Sequence, residues 1–399
     1  MKKLKFILRF KYIHSIWLLC FFLFNIPISA QIIVGASQPD LYLGTLKGKK
    51  VGLVVNQTSV VGKDHLVDFL LKNKINITCI FAPEHGFRGD HSAGEKVKTT
   101  VDSKTKLPVF SLYGNYKKPK EEQLKNLDIV VFDIQDVGAR FYTYISTLHY
   151  MMEACAEQNK TLLILDRPNP NGHYVDGPIL DTAYKSFVGM HTVPVVHGCT
   201  IGEYAQMING EGWLKNGIKC KIQVIKVKNY SHQSAYTLKI KPSPNLPTMN
   251  SIYLYPSLCF FEGTNYSIGR GTNKPFERVG KPLCTIGTDT FTPRNLPGVA
   301  ENPPFEGKAC MGILLSDYGQ NIAPFERKIN LYWLIDLYKN DTNKDKFFTP
   351  FFEKLAGTNL LRQQIIEGKT EDEIRKTWQA GLKKYRAIRH KYLLYSDKE

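Results

Sequence analysis

Apolar residues in the first half of the chain fall into short, nearly unbroken runs, and helical patterns separate some of these runs. Residues 51–55 are apolar apart from Gly52, and Leu66, Phe69 and Leu70 follow at helical spacing. Further runs occupy 77–81, 109–112, 129–134 and 162–165. Between the last two, Ile145, Leu148, Met152 and Cys155 recur at intervals of three, four and three. Continuous apolar strands alternating with amphipathic helices predict an α/β fold, a Rossmann-like parallel sheet covered on both faces.

The rhythm changes after about Ile201. Residues 202–214 read as a helix and 221–227 alternate like a strand. Three prolines within 241–247 exclude regular structure there and mark a junction. The chain is therefore predicted to have a Rossmann-like domain over 31–248 and a second, α+β domain over 249–399. In the second domain, 249–261 is expected helical, 262–282 a Gly-rich loop and 311–315 a strand. Thr370 and Glu373 have capping-box spacing before a helix whose stripe of Ile374, Trp378, Leu382, Tyr385 and Ile388 faces the core.

The first thirty residues are read differently. They carry five cations and no acid, then an apolar run over 16–28 and a small residue at Ala30. That is the pattern of a secretory signal cut after Ala30, and the run is shorter than a membrane span. The mature protein is expected to be exported, to the periplasm, with no stable membrane insertion. The whole chain has 399 residues and a formal charge of +17; removing the leader leaves 48 cations against 36 acids, or +12. That charge does not suggest a nucleic-acid partner. Seven cysteines remain in no C-x-x-C pair, so buried thiols are expected rather than a metal or redox site.

The polar clusters follow the apolar runs. Asn56 follows the first run, and Glu84, His85 and Arg88 follow the second. Tyr113 comes next, then Asp133, Asp136, Arg140 and Tyr142. The ends of parallel strands share one edge, so these loops are expected to converge on one crevice. Glu84, on a stiff Pro-Glu-His turn, suits a general acid. His85 is a second acid/base candidate, and a partner carboxylate for glycoside hydrolysis is available from Asp133, Asp136, Glu262 or Glu277. The segment 263–278 contains Asn265, Arg270, Glu277 and Arg278, donors and acceptors suited to sugar hydroxyls and carboxylates. It lacks phosphate-loop spacing, and the histidines lack zinc-ligand spacing, so no cofactor or metal is expected.

In order, the motifs are Pro83-Glu84-His85-Gly86 with Arg88-Gly89 and Ala93-Gly94, Ser111-Leu112-Tyr113-Gly114, and Asp133 through Tyr144. Then follow Leu165-Asp166-Arg167-Pro168-Asn169-Pro170, Pro242 through Pro247, Phe261-Glu262-Gly263-Thr264-Asn265, Gly269-Arg270-Gly271-Thr272 and Pro275-Phe276-Glu277. Together they resemble the NamZ-type exo-β-N-acetylmuramidases, over roughly 45–395. The resemblance implies a Rossmann-like domain and a smaller C-terminal domain with the active site in the cleft between them, and release of N-acetylmuramic acid from non-reducing ends of peptidoglycan fragments, with Glu84 as catalytic acid. It also implies a sugar pocket from the amide, tyrosine and arginine motifs, which adds Tyr144, His197 and Asn245 to the candidates. The family pattern has an arginine before His197-Gly198, where this chain has Val196. The competing function class is an exported sugar-binding protein without turnover. An esterase or amidase ranks last, because no G-x-S-x-G elbow is present.

Overall fold

The computed structural model describes residues 30–87, 100–114 and 116–397; the leader through residue 29, Arg88 and His91 lie outside them. Ile33–Glu399 forms one compact unit. Its main sheet holds six parallel strands: β1 (Lys50–Val55), β2 (Asn76–Ala82), β3 (Pro108–Ser111), β4 (Ile129–Asp133), β5 (Thr161–Leu165) and β6 (Lys221–Ile225). They lie in the order 3-2-1-4-5-6, with a two-residue antiparallel strand, Thr100–Val101, bordering β3. This is the doubly wound order, with its switch point between β1 and β4.

The apolar runs form strands because both faces are covered. Val51, Leu53 and Val55 pack with Leu66, Val67 and Leu70 of α1 (Leu66–Lys72) on one face. Val54, Phe81, Phe132 and Ile164 pack on the other, in the same core as α2 (Tyr144–Glu157) and α3 (Ile201–Gly210). The helix predicted over 202–214 stops early, because Gly212 turns at φ +68° and its N–H closes on the Asn209 carbonyl at 3.1 Å.

Beyond the proline-rich segment 241–247 come α4 (Met249–Leu258) and a one-turn helix, Cys259–Gly263. Next is an antiparallel sheet of β7 (Arg278–Lys281), β8 (Asp289–Phe291) and β9 (Cys310–Leu314), in the order 7-9-8. The Gly-rich segment is thus not all loop. β7 has a single apolar residue, the buried Val279, which gives no periodicity to read. After α5 (Tyr332–Lys339), the chain ends in α6 (Glu371–His390). The predicted capping box is present: the Thr370 hydroxyl accepts from Glu373 N–H at 3.3 Å, and the Glu373 carboxylate accepts from Thr370 N–H at 2.8 Å. All seven cysteines in the described residues are buried free thiols.

Two buried histidines meet where α2, which carries His149, packs against His191. His191 Nε2 lies 2.9 Å from His149 Nδ1, and its Nδ1 lies 3.0 Å from the Tyr204 hydroxyl. Burial, aided by the charges of Lys185 and Lys118 and opposed by Glu153, pushes His149 down to about 4. The unfolded chain therefore binds a proton that the folded one refuses between about pH 6.5 and 4. The stability this group contributes is complete above 6.5 and is lost as pH falls through that window. Burial acts oppositely on Asp166, raising it to about 6, so its folded form holds the extra proton there. Comparing wild type with His149→Gln cancels Asp166. Guanidinium unfolding across pH 6.5 to 4 is expected to show a steeper loss in wild type, by roughly 1.4 kcal/mol per pH unit. Parallel slopes would mean that His149 is not held neutral.

Candidate active site

The strand ends at the switch point are closed by the protein itself. Ser59 Oγ donates to the Asp133 carbonyl, and Thr58 Oγ1 accepts from Gln135 N–H at 3.0 Å. The open hollow lies to one side, past the ends of β2, β3 and β4. It is a cavity of about 640 Å³, within the usual range for small-molecule sites.

Glu84 enters this cavity from a tight turn after β2. Gly86 N–H closes on the Pro83 carbonyl at 3.1 Å, and His85 sits between them at φ +72°. That left-handed conformation costs a non-glycine residue about 1 kcal/mol or more and marks a position the fold constrains. Thr143, the residue preceding α2, donates its hydroxyl to Glu84 Oε2 at 2.8 Å. The Tyr113 phenol, just past β3, is hydrogen-bonded to Glu84. Burial first, then the Glu84 and Glu262 carboxylates, raise the Tyr113 phenol above its ordinary range, while Arg270 pulls the other way. Tyr113 therefore sits among both carboxylates and the guanidinium.

Glu262 comes from the turn of helix after α4. Its Oε1 accepts from Arg270 Nε at 2.7 Å, and Oε2 lies 3.5 Å from the Cys259 thiol, which donates to it. Burial opposes charge on Arg270, but the Glu262 partner holds it raised overall. The Arg270 guanidinium also lies 5.1 Å from the Phe276 ring centroid. Among the described residues, its two terminal amino groups have no hydrogen-bond partner.

An aromatic floor joins the two sides. The Tyr142 ring meets Tyr144 edge-on at 4.8 Å and Tyr255 at 5.8 Å, and Tyr255 meets Phe276 at 4.9 Å. Tyr144 is fixed by Asn56, whose amide donates to its hydroxyl at 2.9 Å. Phe187, with Lys117 Nζ 4.7 Å over its ring, lines another part of the cavity. Residues 299–304 wall it from the C-terminal half, tethered where the Asn245 amide donates to the Val299 carbonyl at 2.6 Å.

Residues 51–250 match the family description "Exo-beta-N-acetylmuramidase NamZ, N-terminal", and residues 253–395 match its C-terminal counterpart. The chain belongs to the NamZ exo-β-N-acetylmuramidase family. It is 41% identical over 378 residues to the peptidoglycan β-N-acetylmuramidase NamZ of Bacillus subtilis (strain 168), covering 90% of this chain and 89% of that one. A crystal structure of a DUF1343 family protein from Bacteroides fragilis NCTC 9343 superposes with a TM-score of 0.86 at 49% identity, covering 92% of this chain and all of the other. A second DUF1343 protein from that organism gives a TM-score of 0.76 at 30% identity, over 92% and 99% of the two chains. The protein is a glycosidase of this NamZ family.

Of the residues expected from sequence, Glu84, His85, Tyr113, Tyr142, Tyr144, Glu262 and Arg270 line the cavity. Arg88 lies outside the described residues. The others are placed elsewhere, each for a reason visible in its contacts. Asp133 is fully buried and bound through both oxygens by Arg167, at 2.6 and 2.9 Å. Arg140, fully buried, donates to the carbonyls of Pro178, Val193, Leu355 and Ala356. Burial lowers it to about 9, which leaves it charged at neutral pH. Asp136 accepts from Gly138 N–H at 2.6 Å and lies 3.6 Å from the buried His197. Glu277 accepts from the hydroxyls of Thr248 and Ser316. Asn56 and Asn245 act on the site indirectly, by fixing Tyr144 and the 299–304 wall. Asn265 pairs by its backbone N–H with Phe347. Arg278 pairs with Asp289. Val196 is buried in the core, so the departure at that position does not reach the cavity.

Thr143, Lys117, Ser243, Tyr255, Phe187 and the 299–304 wall were not expected. Thr143 had a usable signal, since it stands between two candidate tyrosines directly before a predicted helix.

Proposed function

We propose that the protein releases N-acetylmuramic acid from the non-reducing ends of peptidoglycan fragments, after export and cleavage of its leader. The observation that carries this reading is one cavity whose lining holds Glu84 and Glu262, with Glu301 in its 299–304 wall, and an arginine whose terminal amino groups have no hydrogen-bond partner among the described residues. Two carboxylates are the working pair of most glycoside hydrolysis. Glu84, held by Thr143 and Tyr113, protonates the departing glycosidic oxygen. Glu262, held by Arg270, is the second carboxylate. Muramic acid differs from glucosamine by a lactyl carboxylate, and the open fork of Arg270 suits bidentate binding of such a group. The tyrosine and phenylalanine rings supply the flat apolar surface that a pyranose ring packs against. The wall at 299–304 closes one end, as removal of a terminal sugar requires.

The test uses two disaccharides that differ only at the non-reducing sugar. A muramyl–glucosamine substrate is expected to give both free monosaccharides, and its counterpart with terminal N-acetylglucosamine to be cleaved at least ~100-fold more slowly, as expected when a buried charged partner is left unpaired. Equal cleavage of both would remove the lactyl-binding role of Arg270. Stoichiometric binding of the muramyl substrate without products would make the protein a sugar receptor instead.

A further inference from the structure

A second cavity, of about 440 Å³, lies beside the Gly-rich loop and is lined by Thr272, Asn273, Arg278, Phe291, Thr292 and Arg294, among others. Arg278 is only 8% exposed. Its Nε faces Asp289 at 3.3 Å, and its guanidinium lies 5.1 Å from the Phe291 ring centroid. Among the described residues, neither of its terminal amino groups has a hydrogen-bond partner, and the exposed Arg294 side chain has none either. Two guanidinium groups opposed by one carboxylate leave this hollow cationic. The donors around it, guanidinium forks, hydroxyls and an amide, match the acceptor pattern of a carboxylate.

One residue separates this hollow from the active cavity. Gly271 has φ +78°, and a Cβ placed on it would lie 2.4 Å from the Arg294 carbonyl oxygen and 2.7 Å from Pro303 Cγ. Arg294 lines the hollow and Pro303 lines the active cavity. Along the same loop, Arg270 lines the active cavity, Gly271 forms the partition, and Thr272 and Asn273 line the hollow. Only a residue without a side chain lets the two spaces approach so closely.

We infer that this hollow is a carboxylate-binding subsite for a peptide carried on the lactyl group of a muramyl substrate. The inference rests on the muramidase reading above. In a peptide-substituted sugar the lactyl carboxyl has become an amide, and Arg270 loses its charged partner. The next negative charges are carboxylates further along the peptide. The cationic hollow begins one residue beyond Arg270 on the same loop, separated from the active cavity by Gly271 alone. It compensates for the charge lost at Arg270.

Calorimetric binding of N-acetylmuramic acid and of N-acetylmuramoyl-alanyl-glutamate to the full protein tests this. Wild type is expected to bind the peptide-bearing ligand at least as tightly as the unsubstituted sugar. In Arg294→Gln the ratio of the two affinities is expected to shift about tenfold against the peptide-bearing ligand, the scale of one charge-assisted hydrogen bond. Arg278→Lys keeps the charge facing Asp289 but loses the fork, and is expected to shift the ratio in the same direction. An unchanged ratio in both variants, with both folded by circular dichroism, overturns the subsite. So does a wild type that binds the peptide-bearing ligand far more weakly than the plain sugar. Titration with inorganic phosphate separates a branch of the substrate from a free anion: if phosphate occupies the hollow more tightly than the peptide-bearing ligand, the assignment to a peptide is wrong. Turnover of the unsubstituted disaccharide is measured on the same preparation. Its absence would count against the muramidase reading, whereas an unchanged ratio with normal turnover would count against the subsite alone.

Discussion

Glu84→Gln is expected to lower kcat for release of N-acetylmuramic acid about 10³-fold, within the span measured for removal of a general acid. The substitution is nearly isosteric. The Thr143 hydroxyl, 2.8 Å from Oε2, still finds an acceptor in the glutamine carbonyl, so KM and melting temperature are expected to stay close to wild type. What disappears is the proton for the leaving oxygen. A substrate whose leaving group departs without help, such as a nitrophenyl muramide, is therefore expected to lose far less, about tenfold. An equal loss on both substrates would assign Glu84 to attack or to charge stabilisation. Wild-type rates on both would remove it from the chemistry.

The contrast with Glu262 follows from its partners. Glu84 is held by two hydroxyls, Thr143 and Tyr113, whereas Glu262 accepts a charge-assisted bond from Arg270. That bond fixes the Glu262 carboxylate in the cavity lining. Arg270, eight residues beyond Glu262 on the chain, thus positions that carboxylate. The terminal amino groups of the same arginine have no hydrogen-bond partner among the described residues.

Much of the fold was legible because its strands are buried on both faces. The runs that became β1 to β5 need no polar alternation, so their ends, and the polar residues after them, could be placed on one sheet edge. The candidate site was harder to read, for a physical reason. A charged residue at a strand end looks the same in sequence whether it faces a cavity or interior carbonyls. Arg140 had every feature of a ligand-binding arginine, yet two of its four acceptors, Leu355 and Ala356, lie 215 and 216 residues away. No local pattern reports that closure. Residues 299–304 are hidden in the same way: they have no periodicity, and they are tied to the other half of the cavity wall by contacts such as the Asn245 amide, 54 residues away. Glu84 and Tyr113 were readable because a short strand–turn unit positions each of them.

Asp133 is expected to show its role in stability. Asp133→Ala leaves the Arg167 guanidinium, only 6% exposed, without its carboxylate, and breaking a buried pair in this way costs about 3–5 kcal/mol. Arg167→Met strands the fully buried Asp133 and is expected to cost a similar amount. Replacing both together, as Asp133→Leu with Arg167→Met, leaves no buried charge unpaired and is expected to cost less than either single change. Guanidinium unfolding of the four proteins measures this coupling. Single-mutant costs that add in the double mutant would mean that the two side chains do not depend on each other. Activity per folded molecule decides the other half of the claim. If Asp133 only closes the switch point between β1 and β4, the folded fraction of Asp133→Ala keeps kcat within a few-fold of wild type. A fall comparable to that of Glu84→Gln would extend the chemistry to the end of β4 and make the Asp133–Arg167 pair part of the site.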